Sequence, residues 1–509
     1  MIFRPFAYLF GLSGKERAYL YYPDRRDFCE MAAQYDVVPV WAEFMADTIT
    51  PISIFSRFAD RHGSFLLESV EGGTKWGRYS FIGINPSASF EFKNGLLKTD
   101  AGQVLCSDPI AYMKDWMHRR RCPQIKDLPR FSGGCAGYFA YDIVRVLEPL
   151  PDMPEDDLEL PDAHFVLCDD LIVYDHLRQR IIIIVNVNVE HESDAAYERA
   201  IGKIKLMYDE IMSQQASAAV ELHKNTENIS PISNVSRQEY VEWVERAKQY
   251  ILDGDIFQVV LSQRYETVTD AHPFDVYRAL RTLNPSPYMY YFNFGYYRIA
   301  GSSPESLVRV EDGIVETCPI AGTRPRGDTP EQDVELENEL LNDEKERAEH
   351  IMLVDLGRND IGKVAEYGSV RVENIMHIEK YSHVMHLVTN VKGRLKGDND
   401  AFDALAACLP AGTVSGAPKV RAMQIIDEME QVRRGPYAGA IGYIGYNGNM
   451  DVCITIRTAI FVGEKVYVQA GAGIVADSVP EREYVETGNK AKALLQAIAS
   501  VEKRGVLMR

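Results

Sequence analysis

Among 509 residues, 55 Lys and Arg stand against 74 Asp and Glu, a formal net charge of -19 at pH 7. That balance disfavours nucleic acid or an anionic membrane surface as a partner and obliges any anionic substrate to meet a local basic or metal site. No apolar run nears the ~18 residues that span a bilayer, and eight cysteines without a Cys-x-x-Cys pair exclude a zinc ribbon or dithiol centre and fit reduced thiols in the cytoplasm.

At roughly 150 residues per domain the chain has room for about three domains or two large ones. Met1 to Leu12 is apolar but carries Arg4 inside its only hydrophobic stretch and lacks a small-x-small cleavage site, so no signal peptide is expected and 1–26 is left unassigned. From 27 to 212, short β-branched runs alternate with turn pairs. Ser87 to Phe92, Asn94-Gly95 and Leu96 to Thr99 read as a hairpin, and His164 to Tyr174 and Arg180 to Val189 read as further strands. Gly133-Gly134-Cys135-Ala136-Gly137 fits the G-x-C-x-G surround of a glutaminase nucleophile, but such a cysteine needs a general base. The only H-x-E match, His377-Ile378-Glu379, lies far outside one hydrolase-sized stretch, so Cys135 is expected to be a packed small residue in a tight glycine turn.

Residues 213–236, rich in Ser, Asn, Gln and Ala, read as a linker or long loop between near-equal halves. The second half, 237–503, opens on Ser236 and Glu239 spaced as a capping box, followed by Tyr240, Val244, Ala247 and Ile251 on one helical face. Phe257, Val259 and Leu261 then alternate with Gln258, Val260 and Ser262, which places Gln258 on the strand face opposite Phe257. Ala440 to Tyr446, Asp451 to Phe461 and Lys465 to Ala470, joined by Asn447-Gly448-Asn449 and Gly463-Glu464, form an antiparallel meander. The fold class expected is α+β with large antiparallel sheets. Gly471-Ala472-Gly473-Ile474-Val475-Ala476 matches a dinucleotide fingerprint, yet Asp477 to Pro480 interrupts before any helix and too little chain follows for another βαβ unit. A carboxylate nest of backbone N–H groups around Gly471 and Gly473, or a plain turn, is what remains.

The strongest chemical signal is a repeated carboxylate spacing. Glu346 and Glu349 share one helix face and Glu483 and Glu486 another. Taken singly, either pair reads as a solvated acidic face; together they offer the hard oxygens that Mg²⁺ takes, with positions left for water and a substrate carboxylate. Arg457, Lys490 and His386 are the nearby cationic and proton-handling candidates, although Lys490 has Glu486 four residues away as a simpler partner and a histidine among apolar residues is commonly a satisfied core group.

Read together, Trp76-Gly77-Arg78-Tyr79-Ser80-Phe81-Ile82-Gly83, Pro319-Ile320-Ala321-Gly322-Thr323-Arg324-Pro325, Ala348-Glu349-His350, Leu356-Gly357-Arg358-Asn359-Asp360, Gly412-Thr413-Val414-Ser415-Gly416-Ala417-Pro418-Lys419 and Ala470 to Val475 resemble the large subunit of anthranilate synthase, component I, among the chorismate-utilising enzymes. The resemblance implies two interleaved α+β domains. It implies conversion of chorismate and ammonia to 2-amino-2-deoxyisochorismate, then loss of pyruvate to leave anthranilate. By motif, Glu349 and Glu486 would ligate Mg²⁺, with Glu346 and Glu483 in or just behind its shell. Tyr437, Arg457 and the Gly471, Ala472, Gly473 run would hold chorismate carboxylates, Gly322 and Thr323 would line the pocket with Thr413, and Lys490 would balance charge. Glu305 matches the acid that protonates the departing ring hydroxyl, and His386 the histidine that faces it and aids the elimination; hydroxide leaves poorly without a proton.

Two positions separate the sister activities. Isochorismate and salicylate synthases place Lys where this chain has Gln258, and aminodeoxychorismate synthases often carry a nucleophilic Lys where it has Ala321. Aminodeoxychorismate synthase component I stays open as an alternative, as does a catalytically silent amino-acid-binding regulator on the same scaffold. The implied partners are a separate glutaminase subunit in a hetero-oligomer, and L-tryptophan as feedback inhibitor. The tryptophan site would combine Glu68 and Ser69 as acceptors with an apolar slot of Pro287, Tyr288, Met289 and Tyr443.

Overall fold

The structure, a computed structural model, describes residues 20–70, 77–189, 193–213, 220, 222–223, 230–381 and 384–501. Met1 to Leu12, Trp76, and most of the 213–230 stretch lie outside them. Period-two alternation explains the layering. Ile182 and Ile184 of the strand Arg180–Asn188 pack with Phe65, Tyr290 and Tyr443, whereas Ile181 and Ile183 pack with Tyr197 and Ile204 of the helix Ser193–Met212. A strand buried on both faces belongs to a sheet covered on both sides.

Two antiparallel sheets, of 13 and 12 strands among the described residues, meet across an aromatic layer that includes Trp41, Phe81, Phe131, Tyr138 and Tyr297. Helices cover the outer faces: Pro273–Leu283 and Pro480–Val501 on the first, Pro109–His118, Glu344–Val364 and Ala401–Cys408 on the second. In the first sheet the order runs through Asp170–Asp175, Tyr79–Gly83, Phe65–Glu68, Tyr288–Asn293, Tyr297–Ser303, Thr458–Val462, Lys465–Ile474 and Gln258–Val268. In the second it runs through Ile320–Pro325, Val384–Arg394, Ile314–Thr317, Ser306–Glu311, Met450–Ile454, Ala440–Gly445, Gly134–Phe139 and Ala163–Cys168. Both sheets therefore join the two halves of the chain, with Glu68 opposite Met289 and Gly137 opposite Gly442.

The expected hairpin forms as Ala88–Lys93 and Leu96–Thr99, and Ser236 and Glu239 cap their helix reciprocally at 3.2 and 3.0 Å. Two expected strands are each broken in the middle, and their halves enter different sheets. His164 to Tyr174 divides at Asp169, whose side chain accepts from Tyr446 Oη (2.7 Å) and whose carbonyl accepts from Asn186 N (2.8 Å). Asp451 to Phe461 divides at Thr455 to Arg457, where Arg457 has φ +51°. Phe257 precedes its strand and is 72% exposed, and instead of alternating, the strand is buried without a break from Gln258 to Arg264. Cys135 is a packed core residue as expected, but in the strand Gly134–Phe139 rather than in a turn; Gly133 and Gly134 supply the left-handed entry at φ +143° and +136°. No described helix is long and apolar enough to cross a membrane.

Candidate active site

The break at Arg457 delivers the first functional side chain. A guanidinium on a corner between sheets, in the left-handed region, is partly buried beside Tyr437 and His386, and its pKa is lowered by desolvation with Tyr437 opposing. No carboxylate pairs with Arg457 among the described residues. A partly desolvated cation without an anion favours an anionic ligand.

His386 stands opposite Thr323 across the paired strands Ile320–Pro325 and Val384–Arg394, at a bulge that Gly322 makes with φ +64°. Its Nδ1 lies 2.9 Å from Gly322 O. A carbonyl only accepts, so Nδ1 carries the proton, and burial, helped by Arg457, keeps the ring neutral with Nε2 as its basic nitrogen. A Cβ at Gly322 would stand 2.8 Å from Leu340 Cδ1 and 3.2 Å from Glu346 Oε2, which places the bulge against the first carboxylate pair.

Glu305 sits in the turn between Tyr297–Ser303 and Ser306–Glu311, tied down where Ile454 N donates to its carbonyl (3.0 Å). Burial pushes its carboxyl up to about 8, while Thr413 and Lys490 pull the other way. At neutral pH that shift favours the protonated form of Glu305. Thr413, on the 3₁₀ turn Gly412–Val414, lies against it outside hydrogen-bond geometry and holds a buried hydroxyl with no partner among the described residues.

The glycine run is neither a nest nor a turn: Gly471 to Gly473 lie inside the strand Lys465–Ile474, opposite Ser262 and Val260. Ser262 N donates to Glu430 and Val260 N to Ser415 O, both away from the glycine strand, so Gly471 and Gly473 form non-hydrogen-bonded pairs with them. Their amides face the other edge, where pairing with Thr458–Val462 stops at Val468. Gly471 O on that edge accepts from Lys490 Nζ at 3.0 Å, and Lys490 also pairs with Glu486 at 2.8 Å. A Cβ at Gly471 would come 2.8 Å from Tyr437 Oη, and one at Gly473 would overlap Gln258 Nε2. Tyr437 itself is buried, its hydroxyl pushed up to about 12.

The acidic pairs sit on the first two turns of two helices, Glu344–Val364, capped by Asp343, and Pro480–Val501. Glu349 and Glu483 are raised, chiefly by burial and then by Glu346 and Glu486 respectively, and Lys345 and Lys490 each act on both. The two pairs thus share one cleft. Gln258 Nε2 approaches Glu349 at 3.4 Å with its Oε1 buried and unpartnered, and Arg324 Nη1 reaches Glu346 at 3.4 Å. No three acidic, His or Cys side chains among the described residues close a metal site by themselves. The donor chemistry nevertheless fits Mg²⁺, which is held by one or two carboxylates and keeps water and substrate oxygens for its other positions.

All six residues expected to hold tryptophan line one pocket between the halves. Glu68 there already receives Tyr277 Oη (2.7 Å), Arg281 Nε (3.1 Å) and Ser80 Oγ (3.2 Å), two donors on Oε2 and one on Oε1. Sequence reasoning missed Arg130 and Asp451 in the same cavity, where Asp451 accepts from Tyr288 Oη at 3.0 Å and pairs with Arg130 at 3.3 Å. Their distance along the chain gave no signal.

The profile of the chorismate binding enzymes matches residues 64–496. The chain is 56% identical to anthranilate synthase component 1 of Acetivibrio thermocellus over 94% of its own length and 99% of that protein's, and 48% identical to that of Aquifex aeolicus over 93% and 97%. The crystal structure of anthranilate synthase component I from Streptococcus pneumoniae superposes with a TM-score of 0.76 at 40% identity, covering 89% of this chain and 99% of that one. An isochorismate synthase of Escherichia coli, at 18% identity and a TM-score of 0.69, shares the fold.

Proposed function

The chain belongs to the chorismate-binding enzymes, within the anthranilate synthase component 1 family, and from that premise we propose how its residues turn chorismate into anthranilate. It is a chorismate-utilising enzyme that makes anthranilate, a step of tryptophan biosynthesis. Arg457, Tyr437 and the open edge at Gly471 to Gly473 hold the substrate's carboxylates, and Gly322 and Thr323 line the ring. Glu349 and Glu486, with Glu346 and Glu483 beside them, would hold Mg²⁺, which when bound neutralises the acidic cleft and takes a substrate carboxylate.

Ammonia forms the new C–N bond, the ring π electrons shift, and the C–O bond to the ring hydroxyl breaks. Glu305 gives its proton to the leaving oxygen, which departs as water, and the new ammonium group gives up a proton in turn, while the Thr413 hydroxyl stands against the Glu305 carboxyl. In the second stage the bond from the ring carbon to the enolpyruvyl oxygen breaks, the ring proton passes to His386 Nε2 as the ring becomes aromatic, and the departing enolpyruvate takes up a proton at its methylene carbon to leave as pyruvate. Gln258 cannot deprotonate water, and its free Oε1 accepts an N–H of ammonia; Ala321 offers no nucleophile. Both favour the 2-amino product over the isochorismate and 4-amino alternatives.

Cys135, buried with its thiol pushed up to about 12, is no glutaminase nucleophile, so glutamine serves only through a separate glutaminase subunit. Tryptophan, in the cavity between the halves, inhibits.

The observation that carries the reading is Arg457, set between Tyr437 and His386 with no carboxylate paired to it among the described residues. Mixing the protein with chorismate, Mg²⁺ and an ammonium salt should yield the fluorescence of anthranilate. A predominant 4-amino product on chromatography would move the chain to the folate branch, and no turnover would leave the silent-regulator reading.

A further inference from the structure

Opposite its partner Lys465–Ile474, strand Gln258–Val268 has a gap along its other side, between Gly416–Ala417 at one end and Ile232–Ser233 at the other. The two-residue strand Gly416–Ala417 pairs with it only at Gln258 and Val259, after which Val260 O and Ser262 N have no neighbouring strand on that side. A buried ion pair takes the neighbour's place. Glu430 Oε1 accepts from Ser262 N (2.8 Å) and Ser262 Oγ (2.9 Å), and Arg434 Nη2 donates to Val260 O (2.7 Å). Arg434 and Glu430 close on each other through two bonds, Nε to Oε2 at 2.8 Å and Nη2 to Oε1 at 2.6 Å. The second Arg434 nitrogen, Nη1, donates to Val414 O at 2.7 Å, the residue after Thr413. The guanidinium lies 4.7 Å from the Tyr141 ring centroid and 5.7 Å from that of Tyr437.

We infer that the Glu430–Arg434 pair is a positioning device that sets Thr413 and Tyr437 against strand Gln258–Val268, and so fixes the spacing between the acid side and the carboxylate side of the site. This rests on the assignment of Thr413 and Tyr437 to the chorismate site. Only Arg suits the place: its planar fork reaches two carbonyls and a carboxylate at once, whereas a Lys ammonium meets them as a single point. A sequence reading sees only an i, i+4 Glu–Arg pair, the commonest kind of surface salt bridge.

Arg434→Lys keeps the charge opposite Glu430 and gives up the fork. It should lower kcat/KM for chorismate at least about 20-fold, with kcat falling and KM rising together, because small misplacements of positioned groups cost up to ~10²-fold. A variant that merely folds less completely lowers apparent kcat and leaves KM alone. Because Arg434 acts through Thr413 and Tyr437, its effect should shrink at least threefold in a Thr413→Ala or Tyr437→Phe background. Parental kinetics for Arg434→Lys, an unchanged KM, or full multiplication of its effect in both backgrounds would overturn the positioning role while leaving the site assignment intact. If Thr413→Ala and Tyr437→Phe are both as active as the parent, the site assignment fails and the positioning role falls with it. Should Arg434→Lys not fold, Ser262→Ala loosens the Glu430 anchor without stranding a charge and should show a smaller loss with the same coupling; full activity in that variant would overturn the inference.

Discussion

Glu305 carries a conflict between folding and chemistry. Its carboxyl is raised from about 4.5 to about 8 by burial, so between those pH values the folded chain holds a proton that the unfolded chain has released. Stability contributed by this group is present below pH ~4.5 and is lost as pH rises through 8. At neutral pH the cost is up to about 3 kcal/mol. Glu305→Gln should remove that cost and raise the melting temperature at pH 7, yet lower kcat by about 10²–10⁴-fold because an amide cannot deliver a proton. Calorimetry and initial rates on the same preparation check both halves; a destabilised variant would show that burial is not what raises the carboxyl. With rates referred to free ammonia, parental kcat/KM should fall as pH passes 8, and a rise across that range would remove Glu305 as the acid. In the sequence, Glu305 was legible only through Ser303-Pro304-Glu305 and its resemblance. Nothing local announces that Ile454 and Thr413, more than a hundred residues away, will bury it.

Paired elements decide what the remaining side chains can do. Capping boxes and hairpin turns are local, so the helix from Arg237 and the hairpin at Asn94-Gly95 could be read from neighbouring residues. The corners at Asp169 and Arg457 could not, because an apolar run looks the same whether it stays in one sheet or crosses to the next. The same holds for Gly471 to Gly473, whose role follows from where the adjacent strand ends. Gly473→Ala should therefore fold and lose activity: its methyl overlaps Gln258 Nε2 at the mouth of the cleft, while the strand pairing with Val260 is undisturbed. Melting within a few degrees of the parent and a loss of at least ~10²-fold in kcat/KM are expected; near-parental turnover would place the carboxylate site elsewhere. For the two acidic helix starts, chelation should abolish turnover. Mg²⁺ should also raise the melting temperature of the parent but not of Glu486→Ala, since a ligand that binds only the folded state stabilises it. An equal shift in both proteins would move the metal off this helix.

At the scale of the whole molecule, both sheets are shared between the halves, so whatever enters the cavity between Glu68 and Tyr443 touches the frame that carries the active site. The strand Phe65–Glu68 pairs with Tyr288–Asn293, and Asp451 in the cavity begins the run that ends at the Arg457 corner. Long-range pairings of this kind have no periodic signature, which is why the six cavity residues could be assigned by resemblance but Arg130 and Asp451 could not. Glu68 already receives Tyr277, Arg281 and Ser80, and Asp451 is a second carboxylate in the pocket for an incoming ammonium, while the rings of Phe81 and Tyr443 suit an indole. A ligand there shifts the site only by binding one arrangement of the halves more tightly, so tryptophan and chorismate should oppose each other reciprocally. Ser69→Arg fills the cavity from a residue that contributes nothing to the chorismate cleft. It should raise the tryptophan concentration for half inhibition at least ~10-fold while leaving uninhibited turnover within about twofold, a coupling loss of about 1.4 kcal/mol or more. Equal tryptophan sensitivity in variant and parent would place regulation outside this cavity, and a parent indifferent to tryptophan would leave the cavity without that role.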